Sequence, residues 1–225
     1  MNEESFFSNF HTPTIADVLD SMGIWGVLDP SIIPVNKLNS PFYGRAITVK
    51  WAPVRKPASI VELQNSTWNN VKDFLLPKIS DGSGLVYVAG VDNGLLPTLA
   101  LAGGFSASHF ERIGFKGMIL GGAIRDAHVI EKIKIPIFAT NFTPADTQGN
   151  YRVSEVGTSC NVGHVTINTG DYIFADKSGC VVVPAAVINQ VIIAVNETEN
   201  RELDIQSRIE AGDSLYTIVA ELGRL

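Results

Sequence analysis

Apolar and polar positions along this chain change period several times, and each change marks an element. Thr12 to Met22 has helical spacing, with Thr12 able to cap it, Pro13 suited to its first turn and Gly23 able to end it. Gly26 to Pro30 turns into an irregular segment that ends near Pro41. Arg45 to Trp51 alternates and predicts a strand, and Ile60 to Leu76 predicts a helix. Leu85 to Ala89 predicts a strand closed by the turn residues Asp92, Asn93 and Gly94. Thr98 to Ile113 carries helical spacing; Gly103 and Gly104 are either a weak point inside that helix or the opening of a new one. Met118 to Leu120 and Ile135 to Ala139 predict two more strands around a short helix, Ala127 to Ile133. Val165 to Asn168, Tyr172 to Ala175 and Cys180 to Val183 follow, joined by hairpin-like turns at 169–170 and 176–179. Pro184 to Ala211 and Ser214 to Leu222 predict helices, the first ended by Gly212.

Strands alternating with helices argue for an α/β fold with some parallel pairing, and the closely spaced later strands add antiparallel pairs to a mixed sheet. No linker, internal repeat or low-complexity segment divides the chain. The expectation is one domain over residues 1–225 with a helical C-terminal tail from about residue 184.

Gly121-Gly122-Ala123-Ile124-Arg125-Asp126 is the segment richest in chemistry. It follows the apolar run Gly117 to Leu120, so a cation and an anion stand together at the carboxyl end of a strand. Ligands of α/β folds bind at such ends. Arg grips a carboxylate with paired hydrogen bonds, and Asp suits a hard divalent cation.

Composition excludes several classes. Seventeen basic residues against 23 acidic give a net charge of −6, and no basic run exceeds a pair, so no nucleic-acid partner is expected. The first ten residues have no basic or apolar region of a signal peptide. The apolar stretch near Val181 to Val195 is broken by Pro184, Asn189 and Gln190, so no membrane span is expected. A cytoplasmic protein is the simple reading. Cys160 and Cys180 fit no metal-ligand spacing, and nothing demands a disulfide between them. His11, His109, His128 and His164 show no metal spacing either. Trp25, Trp51 and Trp68 read as core, and Asp92 as a turn residue. Glu199 and Glu202 read as a solvated helix face. No phosphate loop, zinc motif or dinucleotide fingerprint occurs.

Six segments, in this order and spacing, resemble the RraA-like family. They are Thr14-Ile15-Ala16-Asp17-Val18-Leu19-Asp20-Ser21-Met22-Gly23, Gly44-Arg45-Ala46-Ile47-Thr48-Val49, the Gly121–Asp126 run, Pro136-Ile137-Phe138-Ala139-Thr140, Gly170-Asp171-Tyr172-Ile173-Phe174-Ala175-Asp176 and Gly179-Cys180-Val181-Val182-Val183-Pro184. That family includes divalent-metal-dependent 4-hydroxy-4-methyl-2-oxoglutarate aldolases and the regulator of ribonuclease E activity. The resemblance covers nearly the whole chain. It implies a swivelling β/β/α fold, homotrimers or homohexamers with active sites between subunits, and a pyruvate-type ligand chelated to Mg²⁺ or Mn²⁺. It implies that Arg125 contacts substrate and that Asp126 binds the metal. It also implies that a glutamate of the C-terminal helix reaches the neighbouring subunit's site, with Glu202 the better match and Glu199 the second.

Two positions depart from the family pattern. The aldolases carry an Asp or Glu that holds metal-bound water, twenty-one residues before the Arg; here that position is Gly104. Gly121 stands where many relatives have Asp. The run Gly103-Gly104-Phe105-Ser106 still offers backbone N–H groups to a substrate carboxylate.

Cleaving a 2-oxo acid requires stabilising an enolate, through a lysine Schiff base or through a metal. No lysine stands in the Arg-Asp segment, and Lys116, Lys132 and Lys134 read as solvated, which favours the metal. Mg²⁺ accepts few protein ligands, so one carboxylate, Asp126, suffices. Arg125 would neutralise charge on the carbonyl oxygen, and its loss would cost on the order of 3 kcal/mol in the transition state. Ser106, His109 and Glu202 are the candidate proton-transfer groups. The expected activity is therefore that of a lyase, an aldolase or an oxaloacetate decarboxylase. The alternatives are a non-catalytic RraA-type regulator, or a lyase for a different hydroxy or sugar acid.

Overall fold

The computed structural model describes residue 7 and residues 10–37, 40–54 and 67–223. Helix α1 (Thr12–Ser21) leads through strand β1 (Ile33–Pro34) to the long strand β2 (Phe42–Pro53). The short helix α2 (Thr67–Val71) and a 3₁₀ turn precede β3 (Leu85–Val91) and β4 (Leu96–Ala102). Then come α3 (Gly104–Arg112), β5 (Gly117–Leu120), β6 (Gly122–Ile124), α4 (Ala127–Ile130) and β7 (Ile137–Ala139). Five strands follow: β8 (Tyr151–Val156), β9 (Ser159–Val162), β10 (Val165–Asn168), β11 (Tyr172–Asp176) and β12 (Gly179–Val183). Helices α5 (Ile188–Glu210) and α6 (Leu215–Leu222) complete the described elements.

The fully apolar runs become the centre of the molecule. β2, β3, β5 and β7 lie side by side and parallel, with Thr48 opposite Val88 and Val88 opposite Ile119. All four residues of β5 are buried, as are the last six of β3, because both faces of these strands are covered. β11 and β12 extend the sheet antiparallel beyond β2, while β8 pairs antiparallel with the second half of β2, β9 with the end of β3, and β10 with β9. On one face the rings of Tyr87 and Phe110 stack with centroids 4.4 Å apart, which ties α3 to β3. At the β11–β12 end of the sheet α1 and α5 enclose Ile15, Leu19, Phe174, Val183 and Val191. Burying a side chain of this size contributes roughly 1.5–3 kcal/mol. Among the described residues no helix is long and apolar enough to cross a membrane.

A second, smaller sheet matters most for the site. β4 and β6 pair in parallel, with Ala102 opposite Ile124. The Arg125 N–H donates to the Ala102 carbonyl at 3.2 Å, so the residues that leave these two strands emerge together.

Several expectations are corrected. Thr98 to Ala102 is strand, not helix, and Gly103-Gly104 opens a new helix. A helical apolar period and a short buried strand cannot be told apart over so few residues. The N-cap of α1 is His11; Thr12 lies in the first turn and its hydroxyl donates to Asp176 instead. The helix expected over 60–76 is described only from Thr67, where it is one short helix and a 3₁₀ turn; its first part lies outside the described residues. α4 stops at Ile130 rather than Ile133. Of the three tryptophans only Trp51 is core; Trp25 is 63% and Trp68 45% exposed. Strands β8 and β9 had no expectation at all. Cys160 and Cys180 are buried free thiols. Burial pushes the Cys160 thiol up to about 12 and raises Cys180 well above the usual thiol range, so neither is a ready nucleophile.

Candidate functional site

The ends of β4 and β6 place Gly103-Gly104 against Arg125-Asp126, and the site grows from that contact. Gly103 approaches so closely that a Cβ there would meet Asp126 Oδ2 at 2.8 Å and Arg125 Cγ at 2.9 Å. Gly104 then starts α3, and its N–H donates to Asp126 Oδ2 at 2.9 Å. The helix N-terminus is a favourable place for that carboxylate. Asp126 reaches it by adopting a left-handed backbone, φ 64° and ψ 48°. Asp tolerates this region better than most residues, because its short polar chain bonds locally. Although it precedes α4, its side chain makes no cap there; it serves α3 instead.

Ser106 completes the start of α3 differently from expectation. It is buried, its hydroxyl accepts the Gly103 N–H at 2.9 Å and donates to the Gly103 carbonyl at 2.8 Å. That commits the hydroxyl to the helix cap and removes Ser106 as a proton-transfer group. Phe105 beside it is 92% exposed. His109 lies a turn further along, its Nδ1 3.4 Å from an Arg112 nitrogen.

The Arg125 guanidinium lies between two carboxylates. Its Nε is 3.7 Å from Asp126 Oδ2, and its Nη1 forms an ion pair with Asp146 Oδ2 at 3.1 Å. All three side chains are about a third exposed, so they face an open, partly screened site. Asp146 was missed in the sequence. It lies twenty-one residues beyond Arg125 in Pro144-Ala145-Asp146-Thr147, which reads as an ordinary loop, and no spacing rule links it to Arg125. The link is made by the small sheet, because Asp146 pairs in parallel with Ala100 of β4.

Packing explains Gly104 but not Gly121. A Cβ on Gly104 would meet Val129 Cβ at 2.8 Å, so α3 and α4 leave no room for an acid there. A Cβ on Gly121 would make only ordinary contact, 3.4 Å from the Ala89 carbonyl oxygen and from Val162, so packing does not demand glycine there.

The two glutamates part company. Glu199 is not on a solvated face: it is 8% exposed and its Oε1 lies 3.5 Å from His11 Nδ1 at the start of α1 in its own chain. Glu202 is exposed on α5. Asp92 is a turn residue as expected, within 3.8 Å of Lys50 Nζ.

Among the described residues no three His, Cys, Asp or Glu side chains form a group able to hold a metal. The donor set therefore fits only a hard cation held by a single protein carboxylate, Asp126, with substrate and water as its other ligands. Two surface clefts, one lined by Phe7, Phe10 and Tyr43 and another by Val27, Ile33 and Phe138, share no residue with this site.

The model of the RraA-like family (Aldolase/RraA) matches residues 12–182. The chain is 29% identical over 212 residues to protein DlpA of Legionella pneumophila, a match covering 92% of this chain and 31% of that protein. It is 33% identical over 107 residues to a candidate 4-hydroxy-4-methyl-2-oxoglutarate aldolase of Azotobacter vinelandii, covering 47% of this chain and 63% of that one. The chain thus spans about a third of the first relative and somewhat under two thirds of the second. The fold matches an uncharacterized protein of Pseudomonas syringae pv. tomato at a TM-score of 0.78, with 24% identity, 96% of this chain and 93% of that one. It also matches RraAS2 of Streptomyces coelicolor, described as an unusual member of the RNase ES inhibitor RraA family, at 0.73, with 23% identity, 91% of this chain and 96% of that one.

Proposed function

This chain belongs to the RraA-like family, and from that premise we propose that it is a divalent-metal-dependent lyase for a small 2-oxo acid. The observation that carries the reading is the arrangement of Arg125 and Asp126 at the N-terminus of α3, with Asp126 in a left-handed conformation that turns its carboxylate into the site. Left-handed non-glycine residues cost free energy and gather where geometry serves a site.

In this reading Asp126 holds Mg²⁺ or Mn²⁺. The cation supplies Lewis acidity at the 2-oxo carbonyl. Arg125 binds the oxygen on which charge grows and neutralises it as the carbon–carbon bond breaks. In this reading the first-turn amides of Phe105 and Ser106 would bind the substrate carboxylate. Phe105 stands exposed beside them.

Gly104 helps to choose between reactions. Retro-aldol cleavage of 4-hydroxy-4-methyl-2-oxoglutarate must first remove a hydroxyl proton, which needs a base or a positioned water. Decarboxylation of oxaloacetate loses CO₂ without removing a proton beforehand. With no acid at position 104 and the Ser106 hydroxyl committed to a cap, the residues suit decarboxylation better.

We place the working site in a homotrimer or homohexamer, where Glu202 of α5 would face a neighbouring copy. Leu203, Leu215 and Tyr216 are 66%, 47% and 85% exposed on α5 and α6, which supports such burial.

The test is pyruvate release from both substrates with Mn²⁺ or Mg²⁺, using wild type and Asp126→Ala. Oxaloacetate turnover well above that of free metal, lost in Asp126→Ala and with chelator, is the expected result. Turnover no faster than free metal for either substrate overturns the reading. It would favour a second reading, a non-catalytic RraA-type binding protein, which the Val129 contact that closes off an acid at Gly104 supports.

A further inference from the structure

Asp146 is held in place by its own loop. Its backbone pairs with Ala100 of β4, and the Ala100 N–H donates to the neighbouring Ala145 carbonyl at 2.9 Å. Its Oδ1 accepts the Thr147 N–H at 2.7 Å and the Thr147 hydroxyl at 3.3 Å, and Thr147 is buried. Its Oδ2 accepts Gln148 Nε2 at 3.1 Å and faces Arg125 Nη1 at the same distance. The carboxylate is thus oriented by donors other than Arg125.

Arg125 has two anions within reach. Asp126 is next to it in sequence and lies 3.7 Å from Nε; Asp146 lies 3.1 Å from Nη1. A guanidinium folded fully onto Asp126 would satisfy that carboxylate internally and compete with any cation for it. Partly exposed pairs of this kind contribute little to stability, so the consequence of Asp146 falls on the site.

We infer that Asp146 is a positioning residue: it draws the Arg125 guanidinium away from Asp126, keeping Asp126 open to a divalent cation and Arg125 aimed at the substrate. This rests on the metal-site reading of Asp126.

The test is a double-mutant cycle on Mn²⁺ affinity, read from the electron paramagnetic resonance of free Mn²⁺ and requiring no turnover. Asp146→Asn should weaken Mn²⁺ about tenfold, in the range found for residues that orient metal ligands. In an Arg125→Ala background the same substitution should matter by less than about twofold, because the competitor is gone. Asp146→Glu should restore most of the affinity. Equal weakening in both backgrounds would mean that Asp146 acts through its charge alone, and no weakening would mean that Arg125 does not compete; either overturns the inference while leaving Asp126 a metal site. Wild type that binds no Mn²⁺ overturns the metal reading and the inference with it.

Discussion

The N–H of Gly104 donates to Asp126 Oδ2 at 2.9 Å, across twenty-two residues of chain. One bond therefore makes the proposed metal-binding carboxylate also a cap for α3, and fixes the distance between the two segments of the site.

That contact bears on the obvious attempt to restore the family's acid. Gly104→Asp would force a Cβ to within 2.8 Å of Val129 Cβ. We expect a loss of roughly 1–3 kcal/mol, as for other overpacked sites, and no gain of aldolase activity. Urea unfolding of Gly104→Asp alone and with Val129→Gly checks this; a fully stable single variant would contradict it.

Asp126→Asn should separate structure from chemistry. Asn accepts the left-handed backbone and can still accept the Gly104 N–H. Its midpoint of thermal unfolding should stay close to wild type, while Mn²⁺ binding is lost. Asp126→Ala should lose both, with about 1 kcal/mol or more of stability gone with the cap. Calorimetry beside Mn²⁺ titration reads the two effects independently.

Asp176 joins α1 to β11 and should govern acid stability locally. Burial acts to raise its pKa, but the N–H and hydroxyl of Thr12 and the N–H of Ser178 outweigh burial and hold it below the usual carboxylate range. A folded pKa below the unfolded value, about 3.9, means stabilisation that is complete above that value and lost as pH falls through the folded one. Asp176→Ala should cost about 2 kcal/mol at pH 7 and clearly less near pH 3. An equal cost at both pH values would show that the charge is not what matters.

Tyr87 offers the opposite case. Its ring is fully buried, and among the described residues its hydroxyl has no hydrogen-bond partner. Burial pushes its pKa up. Tyr87→Phe removes an unpaired polar group and keeps the stack on Phe110, so stability should be unchanged or higher by about 1 kcal/mol. A clear loss in chemical denaturation would reveal a partner for that hydroxyl.

Much of the fold was legible where local rules are strong. The core strands β2, β3, β5, β11 and β12 announce themselves as short apolar runs between turn residues. α1 and α5 are marked by period, proline and glycine. Thr98 to Ala102 misled because a five-residue apolar run fits either period, and pairing with β6 decided it as strand. β8 was missed because none of its six residues is buried and its burial does not alternate cleanly.

By itself, the sequence determined the mixed α/β class and the placing of Arg125 and Asp126 at a strand's end. These follow from residue type, period and order, which are local properties of the chain. Only the tertiary structure decided that Asp126 caps α3, that Val129 closes off position 104, that Asp146 meets Arg125, and that Glu199 is buried against His11. Each of those is a contact between segments brought together by strand pairing or helix packing. Their geometry is set by register and close packing, which no spacing along the chain encodes.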